Sequence, residues 1–305
     1  MLIEEIKREI KKIKKEKNAV ILVHNYQIPE VQDIADFLGD SLDLAKKASN
    51  IDAENIIFCG VDFMAESAKI LNPDKNVILP DISASCPMAH MVDIKGLEKL
   101  KKEHTYAEVV CYINTTAEVK TYADVCCTSS NGKKIVESTS SKKVIFLPDK
   151  NLGSYIQSQV NNKELILWPG YCSPHNNIRK KDILNIKNKH PNAEVLVHPE
   201  CRLEVIDIAD HAFSTNGMVN YIKESKKKEF IIGTEKDICY RFKCENPEKK
   251  FYPVKSAICK NMKKINAEKV LESLKKLEPK INLSDEIMEK AKKPLEKMMD
   301  VGRGD

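Results

Sequence analysis

The chain of 305 residues is 42% hydrophobic and 31% charged, and 50 basic against 45 acidic residues give a formal net charge of +5. No apolar run is long enough to cross a bilayer and no apolar core of a signal peptide is present, so a cytoplasmic protein without a membrane partner is expected. The lysines are interleaved with glutamates rather than gathered into one patch, which argues against nucleic-acid binding.

The first predicted element is a helix, and a gapless sequence pattern follows it three times. The helix, MLIEEIKREIKKIKKEK, has one isoleucine face. The copies lie roughly ninety residues apart. They begin at Ala19 with AVILVHNYQIPEVQDIADFLGDS, at Ala107 with AEVVCYINTTAEVKTYADVCCTS and at Ala193 with AEVLVHPECRLEVIDIADHAFST. A repeat of this length indicates three related units.

Each copy predicts a strand, a loop and a helix in that order. The opening runs VILV, VVC and VLV are typical of buried parallel strands. The apolar positions of the helix are three to four residues apart, at Val31, Ile34 and Leu38 in the first copy and at Val205, Ile208 and Ala212 in the third. A hydroxyl residue closes each copy and opens a further segment that can be helical: Ser41, Ser129 or Thr215.

The second half of each repeat adds a strand, a helix and another apolar run, which ends before Cys86, Cys172 or Cys259. Alternating strands and helices predict an α/β fold of three units with parallel sheets and right-handed crossovers. We expect the units at residues 1–86, 87–172 and 173–259. Residues 260–305 are expected to form a helical tail on the first unit, with its last residues, VGRGD, frayed.

The three cysteines in register indicate a shared metal site. Loops at the carboxyl ends of parallel strands build sites, so three related units would bring equivalent loops together. Three thiolates suit a [4Fe–4S] cluster with one iron not held by protein. Buried free thiols are the alternative for any single cysteine, but three at equivalent positions favour ligation. Zinc is less favoured because structural zinc sites use four ligands.

Two further sets of residues occupy equivalent positions. His24, Tyr112 and His198 follow the first strand of each copy, and Tyr26, Asn114 and Glu200 lie two positions later. They offer acid–base groups and neutral donors. Ser41, Ser129 and Thr215 are expected as helix N-caps that could also bind a phosphate or carboxylate. No arginine occupies any of these equivalent positions, so we expect neutral donors to bind the anion. His175, three residues after Cys172, is expected to reach the same site.

These residues belong to motifs that resemble the quinolinate synthase family, the [4Fe–4S] enzymes of NAD biosynthesis. The motifs span the chain: VHNYQ (23–27), GDS (39–41), ASCPMA (84–89), YIN (112–114), TSS (128–130), WPGYCSPH (168–175), HPE (198–200) and ST (214–215). The resemblance implies three α/β/α units around a central cavity. It also implies a transferase that condenses iminoaspartate with dihydroxyacetone phosphate to give quinolinate, phosphate and water.

The resemblance assigns roles residue by residue. It implies a cluster held by Cys86, Cys172 and Cys259. The implied substrate-binding residues are His24, Ser41, Tyr112, Asn114, Ser129, His198, Glu200 and Thr215. The implied catalytic residues are Tyr26, His24, Glu200, His198 and His175. An aspartate oxidase or aspartate dehydrogenase would be the partner that supplies iminoaspartate. Some members carry C-x-x-C-x-x-C at the third ligand, where this chain has only Cys259.

Two other functions stay open at this point. One is a different hydro-lyase that dehydrates a hydroxy acid on an open iron. The other is a non-enzymatic iron–sulfur sensor, which would need a partner-binding surface. The sequence does not decide which of the three histidines His24, His175 and His198 acts as a base.

Overall fold

Three four-stranded parallel sheets form the frame of the protein, and the computed structural model describes residues 2–305 of it. The first sheet contains β1 (Ala19–His24), β2 (Phe37–Gly39), β3 (Asn55–Cys59) and β4 (Asn76–Ile78). The second contains β5 (Glu108–Tyr112), β6 (Val125–Cys127), β7 (Lys143–Leu147) and β8 (Glu164–Leu167). The third contains β9 (Glu194–Val197), β10 (His211–Ala212), β11 (Glu229–Gly233) and β12 (Lys250–Pro253).

All three sheets have the same strand order, β2-β1-β3-β4 and its equivalents β6-β5-β7-β8 and β10-β9-β11-β12. The opening strand of each unit is therefore an inner strand, covered on both faces, which explains its continuous apolar run. The predicted α/β fold is confirmed, with three parallel sheets flanked by helices. Each sheet falls inside one of the expected ranges, but the boundaries between units stay a prediction.

Fifteen α-helices and two 3₁₀ helices surround the sheets in residues 2–305. The α-helices are α1 (Ile3–Glu16), α2 (Pro29–Gln32), α3 (Ser41–Ser49), α4 (Asp62–Leu71), α5 (Ile94–Glu103), α6 (Ala117–Lys120), α7 (Gly132–Ser138), α8 (Lys150–Gln157), α9 (Ser173–Asn176), α10 (Lys180–Lys189), α11 (Leu203–Ile206), α12 (Thr215–Glu224), α13 (Ile238–Glu245), α14 (Ala267–Lys276) and α15 (Asp285–Val301). The 3₁₀ helices are Pro87–His90 and Met262–Lys264. No helix in this described range is both long enough and apolar enough to span a membrane.

The helix expected after each opening strand is wrong beyond its first turn. Val31 does lie in a helical turn, but Leu38 belongs to β2. The cause is Asp36, whose carboxylate accepts a hydrogen bond from the backbone N–H of Ile21 at 2.8 Å while its own N–H donates to the Ile21 carbonyl at 2.9 Å. These two bonds draw the chain alongside β1, so a helix cannot continue.

The same pairing recurs in the other units and explains the repeated Ala-Asp dipeptide. Asp124 accepts from the N–H of Val109 at 2.7 Å, and Asp210 accepts from the N–H of Val195 at 2.7 Å. The repeated aspartates are therefore structural: each starts a short edge strand next to the opening strand.

The C-terminal tail differs from the expectation in two respects. Helix α14 packs on α1 as expected, but α15 packs mainly on β6, α4 and α6, so the tail also covers the second unit. The last residues are not frayed, because Arg303 forms ion pairs with Asp40 and Asp43 and Gly304 donates a backbone hydrogen bond to Ser130. A sequence of small and charged residues does not reveal such partners, since they lie far away along the chain.

Candidate active site

A cavity of about 500 Å³ lies where the carboxyl ends of the three sheets meet. Every residue that the sequence singled out for a site lines it: His24, Tyr26, Ser41, Cys86, Tyr112, Asn114, Ser129, Cys172, His175, His198, Glu200, Thr215 and Cys259. Their individual roles stay predictions. Their convergence follows from the fold, because equivalent strand ends of three related sheets face one space.

The strand order divides the cavity lining into two sides. In each sheet the hydroxyl residue follows one edge strand, the cysteine follows the opposite edge strand, and the opening strand lies between them. We call the lining at Cys86, Cys172 and Cys259 the cysteine side. The lining at Ser41, Ser129 and Thr215 is the hydroxyl side.

Two neutral histidines stand at the ends of opening strands. The Nδ1 of His24 accepts from the backbone N–H of Tyr26 at 3.2 Å, and the Nδ1 of His198 accepts from the N–H of Glu200 at 3.3 Å. Burial lowers the pKa of His24 to about 4 and that of His198 to about 3. Since Nδ1 is an acceptor in both rings, each neutral ring carries its proton on Nε2. Both can therefore donate a hydrogen bond to a ligand oxygen.

Glu200 is the centre of a buried hydrogen-bond network. Its carboxylate accepts from the Tyr112 hydroxyl at 2.6 Å and lies 2.5 Å from the Nδ1 of His175. Burial alone would raise the pKa of Glu200, but the facing rings of His175 and His198 and the Tyr112 hydroxyl lower it well below its ordinary value. The side chain is therefore ionised although it is only 2% exposed.

A buried threonine that the sequence did not indicate extends this network. The Thr234 hydroxyl lies 2.7 Å from the Nε2 of His175 and 2.5 Å from the Tyr26 hydroxyl. Tyr26 and Glu200 are thus joined through Thr234 and His175. The positions equivalent to Thr234 in the other units are Val61 and Pro148, so the repeat contains no signal for a hydroxyl there.

Each cysteine loop is attached to a carboxylate of its own unit. The backbone N–H of Cys86 donates to Asp62 at 3.0 Å, that of Cys172 to Asp149 at 2.9 Å and that of Cys259 to Glu235 at 3.4 Å. These three carboxylates were missed, although they recur with the period of the cysteines. A search for acidic residues after the second strand-like run of each repeat would have found them.

The thiols on the cysteine side fit a metal-binding role. All ten cysteines of the chain are free, and burial raises the pKa of Cys86, Cys172 and Cys259. Without a metal they are therefore neutral thiols, and a bound metal would displace their protons. One group could also hold a single ion, because ligand atoms of Cys172, His175 and Glu200 lie within 4.8 Å of one another.

On the hydroxyl side the expected N-cap assignment is wrong by one or two residues. The caps are Asp40, which accepts from the N–H of Asp43 at 3.0 Å, and Ser214, which accepts from the N–H of Gly217 at 3.1 Å; α7 follows Asn131. An N-cap needs an extended backbone, and Asp40 and Ser214 have it. The hydroxyls of Ser41 and Ser129 consequently do not cap a helix and face the cavity.

Comparison with known proteins places the chain among named relatives. The family described as "Quinolinate synthetase A protein" matches residues 8–300. A quinolinate synthase of Caldicellulosiruptor bescii is 52% identical over 303 residues, which cover 99% of this chain and 100% of that protein. Quinolinate synthases of Thermodesulfovibrio yellowstonii and Clostridioides difficile are each 50% identical, over 95% and 97% of this chain and 96% and 98% of theirs.

Proposed function

The chain belongs to the quinolinate synthetase A family, and we propose that it makes quinolinate for NAD biosynthesis by condensing iminoaspartate with dihydroxyacetone phosphate. One observation carries the proposal: three cysteines, three hydroxyls and a buried acid–base network from three repeats line a single cavity. An aspartate oxidase or aspartate dehydrogenase would supply the unstable imine.

We assign Cys86, Cys172 and Cys259 as ligands of a [4Fe–4S] cluster with one iron not held by protein. Support comes from their equivalent positions, their free, half-buried thiols and the carboxylate behind each loop. When bound, the cluster would supply a Lewis acid for loss of water from a hydroxylated carbon. A single ion on Cys172, His175 and Glu200 is the alternative metal site.

The substrates would be oriented by neutral donors. Hydroxyls of Ser41, Ser129 and Thr215 are suited to hold the phosphate of the triose. The Nε2–H groups of His24 and His198, with Asn114, can donate to carboxylate and carbonyl oxygens. Because these donors carry no net charge, they bind an anion without forming an ion pair that would slow the release of phosphate.

Proton transfers would run through the network around Glu200. The ionised Glu200 holds the Nδ1 of His175, which leaves the opposite nitrogen of that ring to exchange protons with Thr234 and Tyr26. Burial raises the pKa of Tyr26 well above its ordinary value, so its hydroxyl stays protonated and serves as a donor. Tyr112 keeps the Glu200 carboxylate oriented.

The test begins with anaerobic purification of the whole protein and analysis of its iron and sulfide. Wild type is expected to form quinolinate from iminoaspartate and dihydroxyacetone phosphate. Cys86→Ala, Cys172→Ala and Cys259→Ala are each expected to lose the cluster and at least about a thousandfold in kcat. Cys239→Ala, at a half-buried thiol outside the cavity lining, is the matched control.

Two results would contradict the ligand assignments, and two others would contradict the proposed reaction. Full iron and sulfide in any of the three cysteine variants would remove that cysteine from the ligand set. Loss of all metal from His175→Ala or Glu200→Gln, with metal retained in Cys86→Ala, would favour the single ion. A wild-type enzyme that dehydrates a hydroxy acid but makes no quinolinate would favour a hydro-lyase, and a cluster-containing protein with neither activity would favour a sensor.

A further inference from the structure

The last three residues of the chain contact all three units. They lie on the face of the hydroxyl side that points away from the cavity. Arg303 pairs with Asp40 of the first unit at 2.9 Å. The N–H of Gly304 donates to the Ser130 carbonyl of the second unit at 2.7 Å. Asp305 accepts from the N–H of Ser214 in the third unit at 2.8 Å. Each contacted residue is a direct neighbour of a hydroxyl residue of the cavity lining.

Three glycines allow the backbone of the tail to make these close contacts. A Cβ on Gly304 would lie 2.8 Å from the Ser130 carbonyl oxygen, and a Cβ on Gly217 would overlap the carboxylate of Asp305. Gly302 has a φ of +71°, in the region that side chains disfavour. The contacts of the tail therefore depend on the absence of side chains at Gly304 and Gly217 and on the positive φ of Gly302.

Arg303 lies among three carboxylates, those of Asp40 and Asp43 at the start of α3 and that of Asp305 at 3.0 Å. Its guanidinium donates to Asp40 and, at 3.2 Å, to Asp43, and it also donates to the Ser214 hydroxyl at 2.7 Å. Asp40 lines the cavity next to Ser41. Without a counter-charge, these carboxylates would repel an anion bound at the Ser41 hydroxyl. Another cation nearby, Arg241, donates to Asn25 and Asn216 and to neither carboxylate.

We propose that Arg303 is a positioning residue for the phosphate of the substrate: its positive charge offsets part of the negative charge of Asp40 and Asp43 behind Ser41 and, with Asp305, it keeps Ser41 and Thr215 at a set separation. The inference rests on the proposed function, in which the hydroxyl side binds the triose phosphate. Arg303 does not line the cavity, so it acts through Asp40 and Ser214 rather than by touching the substrate.

The experiment compares Arg303→Gln and Arg303→Lys with wild type in the cluster-loaded full chain. Calorimetric titration with inorganic phosphate measures anion binding without turnover, and steady-state kinetics give a KM for each substrate. Arg303→Gln is expected to weaken phosphate binding and raise the KM for dihydroxyacetone phosphate about tenfold each. The KM for iminoaspartate should stay within about twofold, and Arg303→Lys should recover part of the loss.

Lys297→Gln is the matched control, since Lys297 is another cation of the same tail and donates to the Asp124 carbonyl at 2.8 Å, away from the hydroxyl side. It is expected to bind phosphate as wild type does. Should Arg303→Gln fail to fold, Asp305→Asn, which weakens the contact to Ser214, is expected to raise the phosphate Kd about threefold.

The outcomes separate this inference from the proposed function. A wild type that binds phosphate but makes no quinolinate, with weaker binding in Arg303→Gln, would refute the proposed function alone. A wild type that makes quinolinate, with unchanged phosphate binding in Arg303→Gln and only a lower Tm, would show that the tail is merely structural and would overturn the inference. Absence of phosphate binding in wild type would overturn it as well.

Discussion

The cysteine side and the hydroxyl side of the cavity each take one residue from every repeat, yet they are held in different ways. On the cysteine side each unit attaches its loop to its own carboxylate, Asp62, Asp149 or Glu235. On the hydroxyl side one unrepeated segment, residues 303–305, contacts all three units. Threefold symmetry of a site therefore does not require threefold symmetry of its support.

The difference has an energetic consequence. Loss of one carboxylate frees one cysteine loop and leaves the other two loops attached to their own units. Loss of the tail disturbs three helix starts together, because Arg303 bridges Asp40 and Ser214 and Gly304 donates to the Ser130 carbonyl. We therefore expect local damage on the cysteine side and coupled damage on the hydroxyl side.

The largest effect is expected from Asp149→Ala. Asp149 is fully buried, accepts from the N–H of Cys172 and caps α8 through the N–H of Leu152 at 2.8 Å. Its removal leaves two buried donors without a partner and should cost about 3 kcal/mol of unfolding free energy, measured with urea, together with much of the iron of the proposed cluster. Asp62→Ala, at a more exposed carboxylate, should cost about half as much. Equal losses of unfolding free energy in the two variants would contradict the inference that the more buried carboxylate contributes more stability.

The hydroxyls themselves test whether the three units contribute alike. Ser41→Ala and Ser129→Ala should each raise the KM for dihydroxyacetone phosphate about tenfold, the loss of one hydrogen bond to a charged group, with an unchanged KM for iminoaspartate. Thr215→Val should cost more, because it also removes one of the two acceptors of the Asn25 amide nitrogen, the Thr215 hydroxyl at 2.9 Å, and leaves only Asn216. A selective rise in the KM for iminoaspartate would contradict the assignment of the triose phosphate to the hydroxyl side.

The fit of the tail can be tested with one methyl group. Gly304→Ala would bring a Cβ against the Ser130 carbonyl and should lower the unfolding free energy by about 1 kcal/mol, with weaker phosphate binding. Lys290→Ala, which removes an exposed pair with Glu286 on α15, should change neither quantity measurably. Unchanged phosphate binding in Gly304→Ala would show that the position of the tail does not affect phosphate binding on the hydroxyl side.

The smallest effect is a pH dependence on the hydroxyl side. Burial, with the neighbouring Asp40, raises the pKa of Asp43 to about 6 despite Arg303 and Arg241. A carboxyl whose pKa is raised by folding contributes stability at low pH and loses it as the pH rises through its folded pKa. Asp43→Asn should remove this loss. The unfolding free energy of wild type, measured with urea, should therefore fall relative to that of the variant between about pH 4 and pH 6. Parallel curves for the two proteins would contradict the shift.

The repeat made much of the fold and most of the site predictable. Residues at equal offsets, such as Cys86, Cys172 and Cys259, occupy equivalent loops, and parallel strands bring equivalent loops together. The expected helix after β1 was wrong because hydrogen bonds between Asp36 and Ile21 outweigh an apolar spacing that suits a helix. Thr234 was missed because its counterparts Val61 and Pro148 are not polar.

By itself the sequence determined which residues are equivalent, because a repeat records shared positions directly in the chain. It therefore determined the three α/β units, the cysteines and the strand-end residues. Only the tertiary structure decided what joins the units: Thr234 between His175 and Tyr26, and Arg303 between Asp40 and Ser214. Such partners are far apart along the chain and occur once, so no period or local propensity encodes them, and packing alone brings them into contact.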